Sequence, residues 1–487
     1  MSREHFASRW GLILATLGMA VGTGNIWRFP RVVAAHGGGS FLVAWVVFLL
    51  LWSVPLMMVE FSFGKRSRRG AVGAFARLAG KRSAWMGGWV ALTACGIFFY
   101  YSVVAGWCLR FLGAAAIGEL SVRSSEEVWN GFAGSGTAVL FHLLALGLAF
   151  SVVWFGVRGI ERVAKVLIPL LVLLVVTMAV RAVTLPGAEA GLHFLFSPDW
   201  GALTEPHIWL EALTQNAWDT GAGWGLILTY AIYMRSREDV PLNAYLIGFG
   251  NNSMSLLAGI MVLCTVFAMD PGAEQHLAGV NNEGLTFLYM PRLFEHVPAG
   301  GFFMLLFFLA LSFAALTSLI SMLELATRVL RDFGFERRRA LLWVAGAGFA
   351  FGVPSALSMP FFKNQDWVWG LGLIVSGLLF SVGARRFGLA RLRSEVINGE
   401  GSDLEVGRWW SFVVGVLVPV QAVVLLAWWL WRAAGTEWRQ WLNPFAEGNA
   451  GTVLVQWAVA LLALLAANRW LARRSLASGL QASEEGD

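Results

Sequence analysis

Charge, cysteine and tyrosine are all scarce in this sequence. Asp, Glu, Lys and Arg make up 14% of the 487 residues, and there are 3 cysteines and 6 tyrosines. Soluble domains carry about 25% charged residues, so a soluble multidomain chain is excluded. Cys95, Cys108 and Cys264 stand far apart in apolar stretches, with no CxxC and no metal-ligand spacing. They read as inert helix residues rather than a disulfide scaffold or metal module. No nucleophile–base pair or metal cluster marks the irregular segments, so no enzyme is expected. The net charge of +6 does not imply nucleic-acid binding, because the basic residues sit between hydrophobic runs, where membrane topology accounts for them. No small-residue cleavage site follows the first apolar run, which continues into Gly22-Thr23-Gly24-Asn25 and Arg28. An uncleaved first span is expected.

Apolar residues fill the space these absences leave. They make up 57% of the chain, and the mean hydropathy is +0.65. Twelve spans of roughly 20 residues require about 240 mainly apolar positions, which this composition supplies. The runs are long and continuous, unlike the short alternating segments of an outer-membrane barrel. The expected fold class is therefore an all-α polytopic membrane protein. Its 12 transmembrane helices are predicted near 9–34, 39–63, 84–113, 136–155, 163–182, 208–234, 241–269, 299–330, 340–356, 367–385, 409–431 and 452–472. Most Lys and Arg fall on one side of this layout, among them Lys65, Arg66, Arg68 and Arg69, then Arg337, Arg338 and Arg339, then Arg385, Arg386, Arg391 and Arg393. By the positive-inside rule that side is cytoplasmic and both termini lie there.

Two spans are interrupted in a way ordinary helices are not. The first contains Gly18-Met19-Ala20-Val21-Gly22-Thr23-Gly24-Asn25, the sixth Asp219-Thr220-Gly221-Ala222-Gly223-Trp224-Gly225. Glycine weakens a helix by roughly 1 kcal/mol per residue relative to alanine. Such glycines serve either close helix packing or unwound backbone that lines a cavity. The two interruptions each open a five-helix block, which is the pattern of an inverted-repeat transporter.

The residues around these breaks carry a resemblance. Arg3-Glu4-His5-Phe6-Ala7-Ser8-Arg9, then Gly22 to Pro30 (GTGNIWRFP) and Gly37-Gly38-Gly39-Ser40-Phe41, resemble the bacterial neurotransmitter:sodium symporter family. So do Pro55-Leu56-Met57 with Glu60, Tyr100-Tyr101, Gly159-Ile160-Glu161-Arg162 and Ala314-Ala315-Leu316-Thr317-Ser318. The resemblance spans helices one to ten, whereas eleven and twelve match only as hydrophobic spans. It implies a LeuT fold with a 5+5 inverted repeat and broken helices 1 and 6. Residues 1–182 and 208–386 would form the repeats, 409–472 the last two helices, and 473–487 a disordered cytoplasmic tail. The implied activity is sodium-coupled import of a small molecule by alternating access across a bacterial cytoplasmic (inner) membrane. The protein would act as a monomer or homodimer.

The resemblance also implies a site. A dehydrated sodium ion needs about five or six oxygens from carbonyls, hydroxyls and amides. Sodium site 1 maps to Ala20, Asn25, Asp219 and Asn251, and sodium site 2 to Gly18, Val21, Ala314, Thr317 and Ser318. One or two Na+ ions are expected. Monoamine-transporting relatives carry aspartate at the position of Gly22, so here the substrate is expected to bring its own carboxylate. The amides of Thr23 and Gly24 at the broken-helix end, with the Tyr101 hydroxyl, would receive it. Carbonyls of Ala20 and Trp218 would meet the ammonium, and Met19 also falls at the substrate. The side-chain pocket maps to Ile97, Trp218, Gly221, Trp224, Ser318 and Met322. Gly221 makes room there while Trp218 and Trp224 take it back, so side-chain size stays open within a neutral, hydrophobic amino acid. Another zwitterion, a cationic amino acid, or a non-transporting sensor are the alternatives. Arg28 with Asp366 resemble the outer gate, and Arg3 with Asp332, beside Phe6 and Tyr233, the inner one. Glu60 is expected to hold broken-helix amides, and Glu211 and Glu324 have no assigned role.

Position 219 departs from the family, where Ser or Thr is usual. The positions that hold chloride in chloride-dependent relatives are here Trp45, Gln215, Asp219, Asn251 and Ser255. A carboxylate about 5 Å from the anion at an effective dielectric near 20 repels it by roughly 3 kcal/mol, so no chloride is expected. Asp219 would supply the negative charge itself, with proton counter-transport an open consequence. Binding of a cationic substrate group, or a capped helix break, are the rival readings of Asp219.

Overall fold

The computed structural model describes residues 5–270, 281–399, 401–435 and 437–477. Among them there is no strand, and ten helices are each long and apolar enough to cross a membrane. In chain order the elements used below are α1 (Arg9–Ala20), α2 (Gly24–Ala35), α3 (Gly39–Ser67), α4 (Ala71–Leu78), α5 (Lys81–Ala116), α6 (Gly136–Val153) and α7 (Gly156–Val183). Then follow α8 (Pro206–Asp219), α9 (Leu226–Ala231), α10 (Val240–Met269), α11 (Gly300–Asp332), α12 (Arg337–Leu357), α13 (Met359–Phe387), α14 (Leu389–Leu392), α15 (Arg408–Ala434) and α16 (Ala450–Ala477).

The expected twelve spans are met only in part. Helices α1 and α2 form an eleventh span bent by 48°. The sixth exists as two pieces, α8 and α9, each too short to cross a bilayer alone. Twelve is reached only if this interrupted pair counts as one span. The last helix runs on to Ala477, five residues into the segment expected to be a disordered tail. Arg69 holds it there, donating to the Leu476 carbonyl at 3.1 Å; residues 478–487 of that tail lie outside the described residues. The amphipathic α4 and the short helix Ala188–Phe196 were not anticipated, because eight or nine residues give too few turns for a periodic signal.

The breaks arise differently. At the first, Val21 leaves the helix in an extended conformation, φ −75° and ψ 93°. At the second, Gly221, Gly223 and Gly225 take φ of +74°, +89° and +80°, a region that side-chain-bearing residues reach only at about 1–2 kcal/mol. Close packing also operates: a Cβ on Gly18 would stand 2.6 Å from Ile168 of α7 and 3.4 Å from Thr317 of α11. Glycine there lets α1 sit deep between those helices. Exposed leucines and valines on α6, α7, α15 and α16, such as Leu140, Leu173, Val420 and Leu462, give the outer surface the apolar character a bilayer demands.

Candidate functional site

Between the two breaks lies a cavity of about 100 Å³. The first break contributes Met19, Ala20, Gly22, Thr23 and Gly24, and the second Trp218, Gly221 and Trp224. Helix α5 adds Ile97 and Tyr101, and α11 adds Ser318 and Met322. Every residue assigned to the substrate from the sequence thus lies on this wall. Gln215 and Tyr100, singled out for other reasons, also line it, as do Val104, Phe362 and Leu373, which were missed. They are ordinary helix residues whose inward direction only the packing reveals.

The wall is polar where α2 begins. The Thr23 amide and hydroxyl donate to the Tyr101 hydroxyl at 3.3 and 3.2 Å, and the Gly22 amide donates to Asn25 Oδ1 at 2.8 Å. Asn25 Nδ2 reaches Ser255 Oγ at 2.7 Å, Asn251 Oδ1 at 2.9 Å and Asp219 Oδ2 at 3.4 Å. The Ser255 hydroxyl donates to the same Asp219 oxygen at 2.8 Å, while Asp219 Oδ1 is buried and accepts no hydrogen bond among the described residues. Asn251 Oδ1 stands 3.2 Å from the carbonyl oxygens of both Ala20 and Asp219. Turned over, the same amide donates to both carbonyls. Ala20, Asn25, Asp219 and Asn251 therefore form one cluster whose donor set fits sodium.

The second candidate sodium site lies where the end of α1 meets α11. Ser318 donates to the Met19 carbonyl at 3.3 Å. Thr317 donates back to its own helix, to the carbonyls of Phe313 at 3.0 Å and Ala314 at 3.1 Å. Its oxygen keeps lone pairs for a ligand, with Gly18 packed against it.

The outer gate is arranged differently from the expected ion pair, and the inner one falls partly outside the described residues. Arg28 and Asp366 share the cavity wall but form no ion pair. The guanidinium instead lies 3.8 Å over the Trp218 ring, where the π face of an indole attracts a cation. Arg3 lies outside the described residues. Asp332 accepts from the Gly70 amide at 2.5 Å and pairs with Arg328 at 3.1 Å. Tyr233 donates at 2.7 Å to Glu324, which is fully buried and is gripped by Arg337 at 2.6 and 3.1 Å. Glu324 thus belongs to a charge network at the arginine-rich end. A carboxylate in an apolar run, followed thirteen residues later by arginine, was the available signal. Glu211 sits 3.3 Å from Arg432 and 3.7 Å from His36.

Glu60, fully buried in α3, accepts from the amides of Gly223 at 2.6 Å and Leu228 at 3.2 Å, as its mid-span position suggested. Of the chloride positions, Trp45 packs against Phe29, ring centres 4.6 Å apart and planes tilted by 43°. Gln215 is buried beside Asp219 with neither amide atom hydrogen-bonded among the described residues.

Comparison with known proteins gives concordant matches. A model of the sodium:neurotransmitter symporter family matches residues 3–139 and 126–474. An uncharacterized sodium-dependent transporter of Methanocaldococcus jannaschii is 32% identical over 458 residues, covering 88% of this chain and 90% of the relative. Another, from Bacillus subtilis, is 33% identical over 443 residues, covering 86% and 96%. The crystal structure of MhsT in complex with L-phenylalanine superposes with a TM-score of 0.78 at 30% identity, covering 88% of this chain and 99% of that one.

Proposed function

This chain belongs to the sodium:neurotransmitter symporter family, with the LeuT-like architecture of a membrane transporter, and from that premise we propose that it imports a neutral, hydrophobic amino acid with sodium and without chloride. The proposed setting is a bacterial cytoplasmic membrane with both termini inside. The observation that carries the chloride-free reading is the Asp219 carboxylate, hydrogen-bonded by Ser255 and Asn25 among the chloride-site positions. A fixed negative charge there does the electrostatic work of the anion beside sodium, and excludes the anion by repulsion. The rival reading of Asp219 as a helix-break cap is weakened because its acceptors meet side chains of α2 and α10, not α8 or α9 amides.

The substrate class rests on the wall. Amides of the first break and the Tyr101 hydroxyl suit a carboxylate, and Gly22 places no carboxylate beside them; of the two carboxylates on the wall, Asp219 is engaged by Ser255 and Asn25, and Asp366 shares the wall with Arg28. Ile97, Met322, Leu373 and Phe362 supply an apolar surface, and the MhsT structure of similar fold holds L-phenylalanine. Each entering sodium contributes about 2.3 kcal/mol per 100 mV and about 1.4 kcal/mol per tenfold gradient. Two ions give roughly 7 kcal/mol, an accumulation limit on the order of 10⁵-fold.

The test is thermal stabilisation of the purified protein by each of the twenty amino acids, with and without sodium, followed by uptake with chloride replaced by gluconate. Sodium-dependent stabilisation by hydrophobic amino acids and uptake indifferent to chloride are expected. Asp219→Asn should lose most uptake, and chloride should restore part of it. Strong chloride dependence of the wild type would refute the role given to Asp219.

A further inference from the structure

The arginine-rich end of the bundle holds a second cavity, of about 520 Å³, walled by Arg66, Arg77, Arg386 and Arg391 together with Leu78 and Phe387. Four elements meet there: the ends of α3 and α13, the amphipathic α4, and α14. Because α3 stops at Ser67 and α13 at Phe387, the cavity opens at the depth where two membrane spans end and lipid headgroups begin.

Its charge is not balanced from within. Glu395 meets Arg391 at 2.8 Å and Arg66 at 3.9 Å. Arg77 and Arg386 form no ion pair among the described residues. Arg386 donates to the Ser83 hydroxyl at 2.6 Å and Arg77 to the Ser67 carbonyl at 3.0 Å. Neutral acceptors fix the direction of both guanidiniums without cancelling their charge. Arginines that served only to orient the chain in the membrane would need neither a concave arrangement nor such anchoring. The lining is mostly polar: Arg391 lies 5.0 Å over the Phe387 ring, and Leu78 forms a narrow apolar margin.

We propose that this cavity seats the headgroup of an anionic phospholipid, its phosphate oxygens on the arginines and its glycerol backbone against Phe387 and Leu78. Basic recesses between span ends on the cytoplasmic side suit such headgroups, and guanidinium forks match phosphate oxygens in pairs. With four arginines against one glutamate, a lipid that carries two phosphates fits better than one that carries a single phosphate. A soluble phosphate would match the charge but would gain nothing from the position at the span ends, where acyl chains can follow the apolar surfaces of α3 and α13.

The experiment uses the delipidated full-length protein in mild detergent. Native mass spectrometry titrates tetraoleoyl cardiolipin, dioleoyl phosphatidylglycerol and dioleoyl phosphatidylcholine, with and without millimolar inorganic phosphate. The wild type should prefer cardiolipin, then phosphatidylglycerol, over phosphatidylcholine. Arg77→Gln with Arg386→Gln should weaken cardiolipin binding about thirtyfold, the effect of two arginines at about 1 kcal/mol each at 1.4 kcal/mol per decade. Arg338→Gln with Arg339→Gln, at the start of α12 and outside the cavity, should leave it unchanged. Should the double variant fail to fold, Arg391→Gln, whose side chain is 58% exposed, should show about a fivefold loss. Wild-type affinity in the cavity variants, or an equal loss in the control pair, would overturn the proposal. Displacement of the lipid by inorganic phosphate would overturn it in favour of a soluble anion.

Discussion

The two helix breaks look alike in sequence and are held open by different physics. In the first, no glycine has a positive φ, and the freed amides of Gly22 and Thr23 are satisfied by Asn25 and Tyr101, side chains of the candidate ligand site. In the second, three glycines sit in the left-handed region, and the freed amides of Gly223 and Leu228 are satisfied by Glu60, which is not on the cavity wall. The second break is therefore fixed by its own backbone and a dedicated buried carboxylate. The first is finished by the groups that would bind cargo, so ligand and backbone compete for the same partners. A hinge whose caps are also ligands responds to ligand; one capped elsewhere holds its shape.

Substitutions can break or sharpen that contrast. The largest effect is expected from Glu60→Gln, which removes the charge from two hydrogen bonds worth about 1.5–3 kcal/mol each. Uptake should be abolished and the melting temperature of the solubilised protein lowered with or without substrate. Wild-type uptake would show that the second break does not depend on the carboxylate. Thr317→Ala with Ser318→Ala, at the first break, should also abolish sodium-driven uptake but leave expression intact. It should lower the sodium-free melting temperature less than Glu60→Gln does, because the bonds lost, such as Ser318 to the Met19 carbonyl, are between neutral groups. Normal accumulation in a sodium gradient would misplace the second sodium site. Gly223→Ala comes next. It forces a Cβ into a φ of +89° and to 3.2 Å from the Gly377 backbone, so a stability loss of about 2 kcal/mol should appear in denaturation. The smallest change is Gly221→Ser. Its Cβ would meet the Met19 sulfur at an ordinary 3.4 Å, but at a φ of +74°. Competition uptake should show a few-fold shift toward smaller substrates on top of a modest stability loss of about 1–2 kcal/mol. An unchanged selectivity profile would remove Gly221 from the substrate pocket.

Ile97, Tyr101, Ser318 and Met322 were placed on the cavity wall only by the family resemblance, whereas the two breaks on that wall were legible in the sequence because unwound backbone in a buried helix needs glycine. Glu60 was readable for the same reason, since a carboxylate in mid-membrane must be satisfied by something freed from a helix. The outer gate was not readable. Whether Arg28 pairs with Asp366 or stacks on Trp218 depends on side-chain reach of a few ångströms, and spacing along the chain carries none of it. Glu324 escaped for a similar reason. Its partners Tyr233 and Arg337 belong to two other segments, the stretch after α9 and the start of α12, which only packing brings together.

The sequence by itself determined the helical class, the approximate spans and the two interruptions, because hydropathy and glycine content act locally, within one helix at a time. The tertiary structure decided which oxygens converge, which way the arginines turn, and how four of them from separate elements come to wall a single cavity. Those are properties of distances between helices, and they are set by packing that no single segment contains.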